Sequence, residues 1–314
     1  MTALLHRLVD AVAMWTEDRR PREPVPFRAG DGAPLDCFGP LPPLPPAPPR
    51  SGSWRAPSPR AVDGDGIMAV EALPAAAAPR GTAILVPPWK VPSLGTVSGY
   101  ARLLSRAGYD VWTLVPPRHL ERSAPGTRSG EGFVSPDLPV LRTAFEQLVL
   151  ELRVLAALAA GRGGETALVG LSLGALAAAF AATAPERVDR VALVAPPADL
   201  AAVFAETRIG RRYLALAARA GTEIAAGAAL AAMLAPLRAD LRRPTAPEVF
   251  VAIGAEDRIA LRAGALALAR AWGTTARVYP RGHLTLLFAC RALRRDLARF
   301  LAARTADAPF APAR

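Results

Sequence analysis

A serine lies between two glycines in the segment Val169-Gly170-Leu171-Ser172-Leu173-Gly174. The segment follows Thr166-Ala167-Leu168-Val169, a short apolar run typical of a buried strand, and it precedes a small-residue-rich stretch that predicts a helix at 173–184. A serine at such a boundary predicts a sharp strand-to-helix turn that exposes the serine side chain. The two flanking glycines leave room for the strand and the helix to pack closely.

Strands and helices alternate on both sides of this turn. Short apolar runs predict strands at 67–73, 81–86, 110–115, 166–169, 188–194, 248–253 and 275–279. Amphipathic or small-residue stretches predict helices at 97–107, 141–160, 173–184, 260–272 and 284–303, and a broken helical stretch at 197–246. This alternation predicts an α/β fold with a mostly parallel, doubly wound sheet that helices cover on both faces.

The first 60 residues differ in composition from the rest. Residues 1–20 have apolar residues at helical spacing, which predicts an amphipathic helix. Residues 21–60 are Pro-rich and centre on Leu41-Pro42-Pro43-Leu44-Pro45-Pro46-Ala47-Pro48-Pro49, a sequence that favours polyproline II. We expect residues 1–60 to form a helix and a strap over a domain at 61–314. A docking peptide for an SH3-like partner is the alternative interpretation.

The chain has a net charge of +11, from 38 Lys and Arg against 27 Asp and Glu. Lys90 is its only lysine, and no block of five like charges occurs, so the charge indicates a composition bias rather than a nucleic-acid interface. Two cysteines, Cys37 and Cys290, exclude a disulfide framework and a Cys-rich zinc site. We expect no metal, no cofactor and no nucleic-acid partner.

The sequence shows neither a clear targeting signal nor a membrane span. The N-terminus lacks the uncharged apolar core and cleavage site of a secretory signal. The uncharged and Ala-rich run at residues 224–237 has 14 residues, which is short of the roughly 20 that a membrane span needs. We therefore expect a cytoplasmic protein.

Two later strand ends supply partners for Ser172, whose hydroxyl is a weak nucleophile without an adjacent base. Asp257 ends the segment Gly254-Ala255-Glu256-Asp257, which follows one predicted strand, and His283 follows Gly282 after the next strand. Because carboxyl ends of parallel strands meet at one edge of a sheet, we expect these three side chains to converge.

Both later residues have rivals. Glu256 is an alternative acid because it is adjacent to Asp257, and His119, after the strand at 110–115, is an alternative base. The chain order Ser, Asp, His favours His283 as the base. We expect His119 to line the substrate pocket or lie at the surface. Arg128 lies on a Gly-rich loop and is a candidate for binding an anionic group of the substrate.

Residues 61–304 resemble the α/β-hydrolase superfamily. The resemblance rests on the Gly-x-Ser-x-Gly turn, the Gly-x-x-Asp segment that ends at Asp257, and the late Gly-His pair. It implies that Ser172 is a nucleophile, that His283 is a general base and then acid, and that Asp257 orients the imidazole. It also implies a helical cap at about 197–246. A narrower resemblance, to a little-characterised branch of bacterial and mitochondrial hydrolases, rests on Arg128-Ser129-Gly130-Glu131-Gly132-Phe133.

The same resemblance implies two backbone N–H donors for a developing oxyanion. One is Leu173, the residue after the serine. Many members of the superfamily carry His-Gly-x at the other position, where this chain has Pro87-Pro88-Trp89. Because proline has no N–H, the second donor is expected at Trp89.

The expected activity is the hydrolysis of a small-molecule or lipid carboxylic ester or thioester through an acyl-serine. An acyltransferase with the same three residues is one alternative. A non-catalytic binding protein is another, favoured by the departure at Pro87-Pro88. Apolar residues of the cap are candidates for an acyl pocket, with ordinary core packing as the alternative interpretation: Phe204, Ile209, Tyr213, Leu214 and Met233.

Overall fold

A computed structural model describes residues 3–18, 24–30, 32–62, 64–222, 228–246 and 248–303. Eight strands form one sheet: β1 (Gly52–Val62), β2 (Asp65–Leu73), β3 (Gly81–Val86), β4 (Tyr109–Val115), β5 (Glu165–Leu171), β6 (Arg190–Val194), β7 (Glu248–Gly254) and β8 (Arg277–Tyr279). Their order across the sheet is β1-β2-β4-β3-β5-β6-β7-β8. Strand β2 pairs antiparallel with β1 and β4, and the other neighbours pair in parallel.

Helices connect these strands and cover the sheet. They are α1 (Ala3–Asp18), α2 (Ser98–Arg106), α3 (Leu138–Gly161), α4 (Leu173–Ala181), α5 (Leu200–Glu206), α6 (Arg208–Arg219), α7 (Ala228–Leu234), α8 (Arg262–Ala271), α9 (His283–Ala289) and α10 (Arg291–Ala302). The predicted mostly parallel sheet between helical layers is confirmed.

Strand β3 shows why the sheet needs cover on both sides. All six of its residues are buried. Ile84 and Val86 join the core with α3 and α4, while Ala83 and Leu85 join a second core with α2 and α10. Because successive side chains of a strand point to opposite faces, a continuous apolar run requires two apolar layers around it.

The strand β1 lies largely within the segment that the sequence predicts to be a Pro-rich strap. Gly52 to Pro57 pair with β2, so the sheet begins eight residues before the expected domain boundary at residue 60. Pro57 and Pro59 prevent this strand from being predicted from the sequence, since proline cannot donate a hydrogen bond to a β-ladder. They are tolerated here because β1 is an edge strand with a neighbour on one side alone.

The helix predicted at 284–303 is two helices. Cys290 separates α9 from α10 with an extended backbone conformation (φ −94°, ψ 97°). Its Sγ accepts the Leu293 N–H of α10 at 3.4 Å. The second helix therefore has its own N-cap.

The strap segment has neither a helix nor a regular strand in its described residues, 24–30 and 32–50, and side chains hold it against α3. Arg153 on α3 is fully buried, donates to the backbone carbonyls of Cys37 and Gly39, and pairs with Glu186. Glu146 on α3 accepts the Asp36 N–H at 2.8 Å. Leu35 and Cys37 are buried in the same core as α3. This part of the chain is an integral layer of the domain.

Helix α1 packs with its polar side inward. His6 and Asp10, one turn apart, are both buried, whereas Leu4 is 76% exposed and Leu8 55% exposed. The helix predicted at 1–20 is present over the described residues 3–18. Its orientation is the reverse of the usual amphipathic arrangement, in which the apolar stripe faces the core.

The segment between β6 and β7 contains α5, α6 and α7, as the helical cap at 197–246 predicts. Part of the apolar run at 224–237 lies outside the described residues, and α7 occupies 228–234. Among the helices in the described part of the chain, none is long and apolar enough to cross a bilayer.

We expect Arg153→Ala to destabilise the fold by roughly 3 kcal/mol, since it leaves two strap carbonyls and a poorly exposed Glu186 without their partner. Urea denaturation followed by tryptophan fluorescence measures the change. Arg187→Ala is the matched control: its pair with Asp189 is exposed, and its loss is expected to cost less than about 1 kcal/mol. Equal effects of the two variants would contradict the proposed anchoring of the strap.

Candidate active site

Ser172 lies at the turn between β5 and α4 in a conformation that L-residues rarely adopt, with φ 53° and ψ −117°. Its backbone N–H donates to the Val194 carbonyl at the end of β6, at 2.8 Å. A Cβ at Gly170 would lie 2.3 Å from the Gly174 carbonyl oxygen, and one at Gly174 would lie 2.4 Å from the Val86 carbonyl oxygen. Both positions therefore require glycine, and the turn holds Ser172 at the carboxyl edge of the sheet.

The three residues predicted to converge do so. The Ser172 Oγ lies 2.9 Å from His283 Nε2, and His283 Nδ1 lies 2.7 Å from Asp257 Oδ2. The other Asp257 oxygen, Oδ1, accepts the N–H groups of Ile259 and Ala260 at 2.8 and 2.9 Å. Asp257 and His283 are buried, and Ser172 is half-buried. A hydroxyl, an imidazole and a carboxylate thus form one hydrogen-bonded chain.

Close packing of two loops brings Asp257 to His283. The Ala255 N–H donates to the Tyr279 carbonyl and the Glu256 N–H to the Arg281 carbonyl, at 2.8 and 3.0 Å. A Cβ at Gly254 would lie 2.5 Å from the Arg281 carbonyl oxygen, so the approach depends on glycine. The rival acid Glu256 points elsewhere, because its carboxylate pairs with Arg7 of α1.

The electrostatics of the pair favour an ion pair over two neutral groups. Burial alone would lower the pKa of His283, but the charge and hydrogen bond of Asp257 outweigh it, and that pKa is raised. Burial alone would raise the pKa of Asp257, but His283 and two backbone N–H donors outweigh it, and that pKa is lowered. The site is therefore suited to hold a proton on the imidazole when Ser172 loses one.

The loop after β3 lies against the start of α4, where Leu173 is the first helical residue. A Cβ at Gly174 would lie 2.6 Å from the Pro87 carbonyl oxygen, which shows how closely the two backbones approach. The Leu173 N–H belongs to the first turn of α4, whose N–H groups have no intrahelical acceptor. Leu173 therefore lies beside the loop that leads from Pro87 to Trp89, and the role of Leu173 and Trp89 as oxyanion donors stays a prediction.

His119 lies in the interior and not at the surface, which was one of its two predicted positions, and its place in the wall of a substrate pocket stays a prediction. It is fully buried. Its Nδ1 donates to the Pro117 carbonyl at 2.8 Å, and its Nε2 accepts the Lys90 N–H at 3.1 Å. Burial lowers the pKa of His119 to about 4, so the ring is neutral. Its position fixes the backbone of Lys90, next to Trp89, and its sequence spacing gives no signal of this role.

The Gly-rich loop at 126–133 braces the same turn. The Gly130 carbonyl accepts the Trp89 indole N–H at 2.8 Å, and the Ser129 hydroxyl donates to the Val91 carbonyl at 2.6 Å. Gly130 has a φ of 74°, and a Cβ there would lie 2.7 Å from His119 Nε2. The loop is thus tied to the segment that carries Trp89.

Arg128 is exposed on this loop, and its backbone N–H donates to the Glu131 carboxylate at 3.1 Å. No contact in the described residues joins it to Ser172 or His283, so its substrate-binding role stays a prediction.

Aromatic side chains of the cap extend from Trp89. The Tyr213 ring lies 6.4 Å from the Trp89 ring, and the Phe204 ring lies 6.3 Å from the Tyr213 ring. Phe204 and Tyr213 are buried, whereas the other predicted pocket residues are partly buried against the same core: Ile209, Leu214 and Met233. The cap thus meets the candidate site through an aromatic contact.

Two residues of α1 contact the loop that carries His283, and the sequence analysis does not assign them to the site. Asp10 accepts the backbone N–H groups of His283 and Leu284, and His6 Nδ1 lies 2.9 Å from the Thr285 hydroxyl. The available signal was the i, i+4 spacing of two ionisable side chains on the polar side of a helix. Among the described residues, no cluster of three or more His, Cys, Asp and Glu side chains is arranged to hold a metal ion.

Comparison with solved structures identifies the fold. An acetyl xylan esterase from Paenibacillus sp. R4 matches with a TM-score of 0.54 at 12% sequence identity, over 76% of this chain and 80% of that one. A proline iminopeptidase from Mycobacterium smegmatis matches with a TM-score of 0.53 at 17% identity, over 80% of this chain and 97% of that one. A monoacylglycerol lipase from Paleococcus ferrophilus matches with a TM-score of 0.51 at 19% identity, over 75% of this chain and 98% of that one.

Sequence comparison adds nothing to this result, since no protein-family model matches the chain and no curated protein is significantly similar to it. The structural likeness, at identities below 20%, is a likeness of fold. The eight-stranded sheet, its strand order and the helices on both faces agree with that likeness. The chain therefore adopts the α/β-hydrolase fold.

Proposed function

We propose that the protein is a serine hydrolase that cleaves a carboxylic ester or thioester. The observation that carries this proposal is the hydrogen-bonded chain from Ser172 Oγ through His283 to Asp257. A half-buried hydroxyl on a strained turn, with an imidazole at 2.9 Å, is arranged to become a nucleophile. Esterases and lipases among the proteins of similar fold support this choice of reaction.

In the proposed mechanism His283 Nε2 takes the Ser172 proton as Oγ attacks the carbonyl carbon of the substrate. The carbonyl π electrons move to oxygen, and the N–H groups of Leu173 and Trp89 bind the resulting oxyanion. The tetrahedral intermediate collapses, and the imidazolium protonates the leaving alcohol or thiol. Water, deprotonated by the same imidazole, then attacks the carbonyl carbon of the acyl-serine, the C–Oγ bond breaks to release the acid, and the imidazolium returns its proton to Ser172 Oγ. Asp257 holds the imidazole throughout and stabilises its charged form.

The acyl group has an apolar surface available beside this centre. Trp89 contributes a candidate oxyanion donor through its backbone and an aromatic contact to Tyr213 through its ring. Phe204 continues this aromatic contact into the cap. We infer that the acyl part of the substrate is apolar and extends toward the cap, which is compatible with a lipid or small-molecule ester.

A fluorophosphonate probe tests the proposed nucleophile. We expect the wild-type protein to be labelled and to hydrolyse p-nitrophenyl acyl esters, and Ser172→Ala to abolish labelling and lower kcat by about 10⁴-fold or more. Ser105→Ala is the matched control, because Ser105 is buried on α2 and donates to the Pro74 carbonyl. A folded wild-type protein that is neither labelled nor active would contradict the proposal and favour a binding protein. Varying the acyl chain length in the same assay locates the preferred substrate.

The pH dependence of kcat/KM tests the proposed base. His283 acts as a base when neutral, and its pKa lies above the ordinary 6.5, so activity is expected to fall as pH drops through a value above 6.5. Turnover of an uncharged ester over pH 4 to 9 measures this limb. A limb near pH 4 would match His119 instead, whose pKa burial lowers to about 4.

The loop that carries Trp89 is tested with two glycine variants. Gly130→Ala places a Cβ 2.7 Å from His119 Nε2 and 3.0 Å from the Lys90 N–H nitrogen, so it displaces the loop, and kcat is expected to fall by about 10- to 100-fold. Gly126→Ala is the control: its φ is 77°, similar to the 74° of Gly130, but no atom lies within 4 Å of the added Cβ. Equal losses would mean that backbone strain, and not the position of the Trp89 loop, governs activity.

A further inference from the structure

The helix that begins with His283 receives its N-terminal cap from a distant part of the chain. The first N–H groups of a helix lack intrahelical acceptors, and a side chain at the N-cap normally accepts one of them. Here the N-cap residue is Gly282, which has no side chain. Asp10 of α1 supplies the acceptors instead: its Oδ2 accepts the His283 N–H at 2.7 Å, and its Oδ1 accepts the Leu284 N–H at 3.0 Å.

The fit between Asp10 and Gly282 is tight. Asp10 is 1% exposed, and a Cβ at position 282 would lie 2.5 Å from its Oδ2. Asp10 therefore occupies the space that any other residue at 282 would need. The carboxylate and the glycine form one unit around the backbone of His283.

Two further contacts hold α1 at this place. The His6 ring bonds to Thr285, in the first turn of α9, and the Arg7 side chain pairs with Glu256, adjacent to Asp257. Of these three residues of α1, Asp10 is the one that contacts His283, whose ring lies within hydrogen-bond distance of Ser172 Oγ.

We propose that Asp10 is a positioning residue for His283, which fixes the backbone of the base and places a second carboxylate at that backbone. The proposal rests on the proposed function, because it assigns Asp10 to the same site. A base that must lie within hydrogen-bond reach of a hydroxyl tolerates little displacement, so the two N–H bonds bear directly on the rate.

The charge of Asp10 contributes as well as its geometry. Burial lowers the pKa of His283, Asp257 raises it strongly, and Asp10 raises it further. Burial raises the pKa of Asp10 itself, so Asp10 adds to the stabilisation of an imidazolium by Asp257 when the Asp10 carboxyl is ionised. The charged and titratable groups around the ring and around Asp10 are Asp257, His6, Arg281, Arg7 and Glu256.

A merely structural Asp10 would hold α1 on the domain and do nothing to the base. The two roles differ in measurable ways. Loss of a tether lowers the stability of α1 and changes KM and kcat without moving the pH profile. Loss of a positioning charge lowers kcat and shifts the acid limb of the profile.

Two variants of the full chain separate these roles. Asp10→Ala removes both acceptors, and kcat for a p-nitrophenyl ester is expected to fall by about 10- to 100-fold with KM within about twofold of the wild-type value. Asp10→Asn keeps one acceptor and loses the charge, so the acid limb is expected to move to lower pH with a smaller loss of kcat. Arg7→Gln is the control, because it removes the ion pair of α1 with Glu256, which does not involve His283. We expect it to leave the acid limb of the pH profile unchanged.

A readout without turnover keeps this proposal separable from the proposed function. The chain has three histidines, so NMR of the imidazole protons can follow each one, with His283→Gln identifying the signals of His283. We expect the pKa of His283 to be lower in Asp10→Asn than in the wild type, whether or not the protein hydrolyses esters. An unlabelled, inactive wild type would overturn the proposed function alone. An unchanged His283 pKa in Asp10→Asn, or the same shift in Arg7→Gln, would overturn the role of Asp10.

Discussion

The strained turn at Ser172 constrains the whole centre of the sheet. A non-glycine residue at φ 53° costs on the order of 1–3 kcal/mol, and it persists where the surroundings hold it. The N–H bond from Ser172 to Val194 ties it to β6, and the contact of Gly174 with Val86 ties it to β3. The registers of β3, β5 and β6 are therefore coupled through the turn at 172–174. A shift of either neighbour would separate the serine from its partners.

Several arginines are buried and join segments of the chain through hydrogen bonds and ion pairs, instead of forming a charged surface. Arg153 and Arg190 are each 1% exposed, and both donate to main-chain carbonyls as well as to carboxylates. Arg122 spans Glu151 and the Val115 carbonyl in the same way. The planar guanidinium offers five donors, which suits a group that must satisfy several acceptors at once. A share of the +11 charge thus serves to hold irregular segments against regular ones.

The elements that could be predicted from sequence are those with a local signal. Buried parallel strands show as apolar runs, and Ser172, Asp257 and His283 each follow a strand with a glycine nearby. The elements that could not be predicted depend on distant contacts. Strand β1 carries prolines that an edge position tolerates, and α1 turns its polar side inward because α9 offers it N–H donors. The inward position of His119 likewise depends on the Gly-rich loop and on Lys90, which is 29 residues from His119 in sequence.

The contact between Asp10 and His283 joins residues 273 positions apart. Contacts of such long separation form late, since the loop they close must be ordered first. On a ribosome, roughly tens of seconds of synthesis separate Asp10 from His283. During this time His6 and Asp10 lack their hydrogen-bond partners on α9. The turn at Ser172 is synthesised well before His283, its proposed base. A chain released before residue 257 would carry the proposed nucleophile without the proposed acid and base, so the proposed activity would require synthesis through His283.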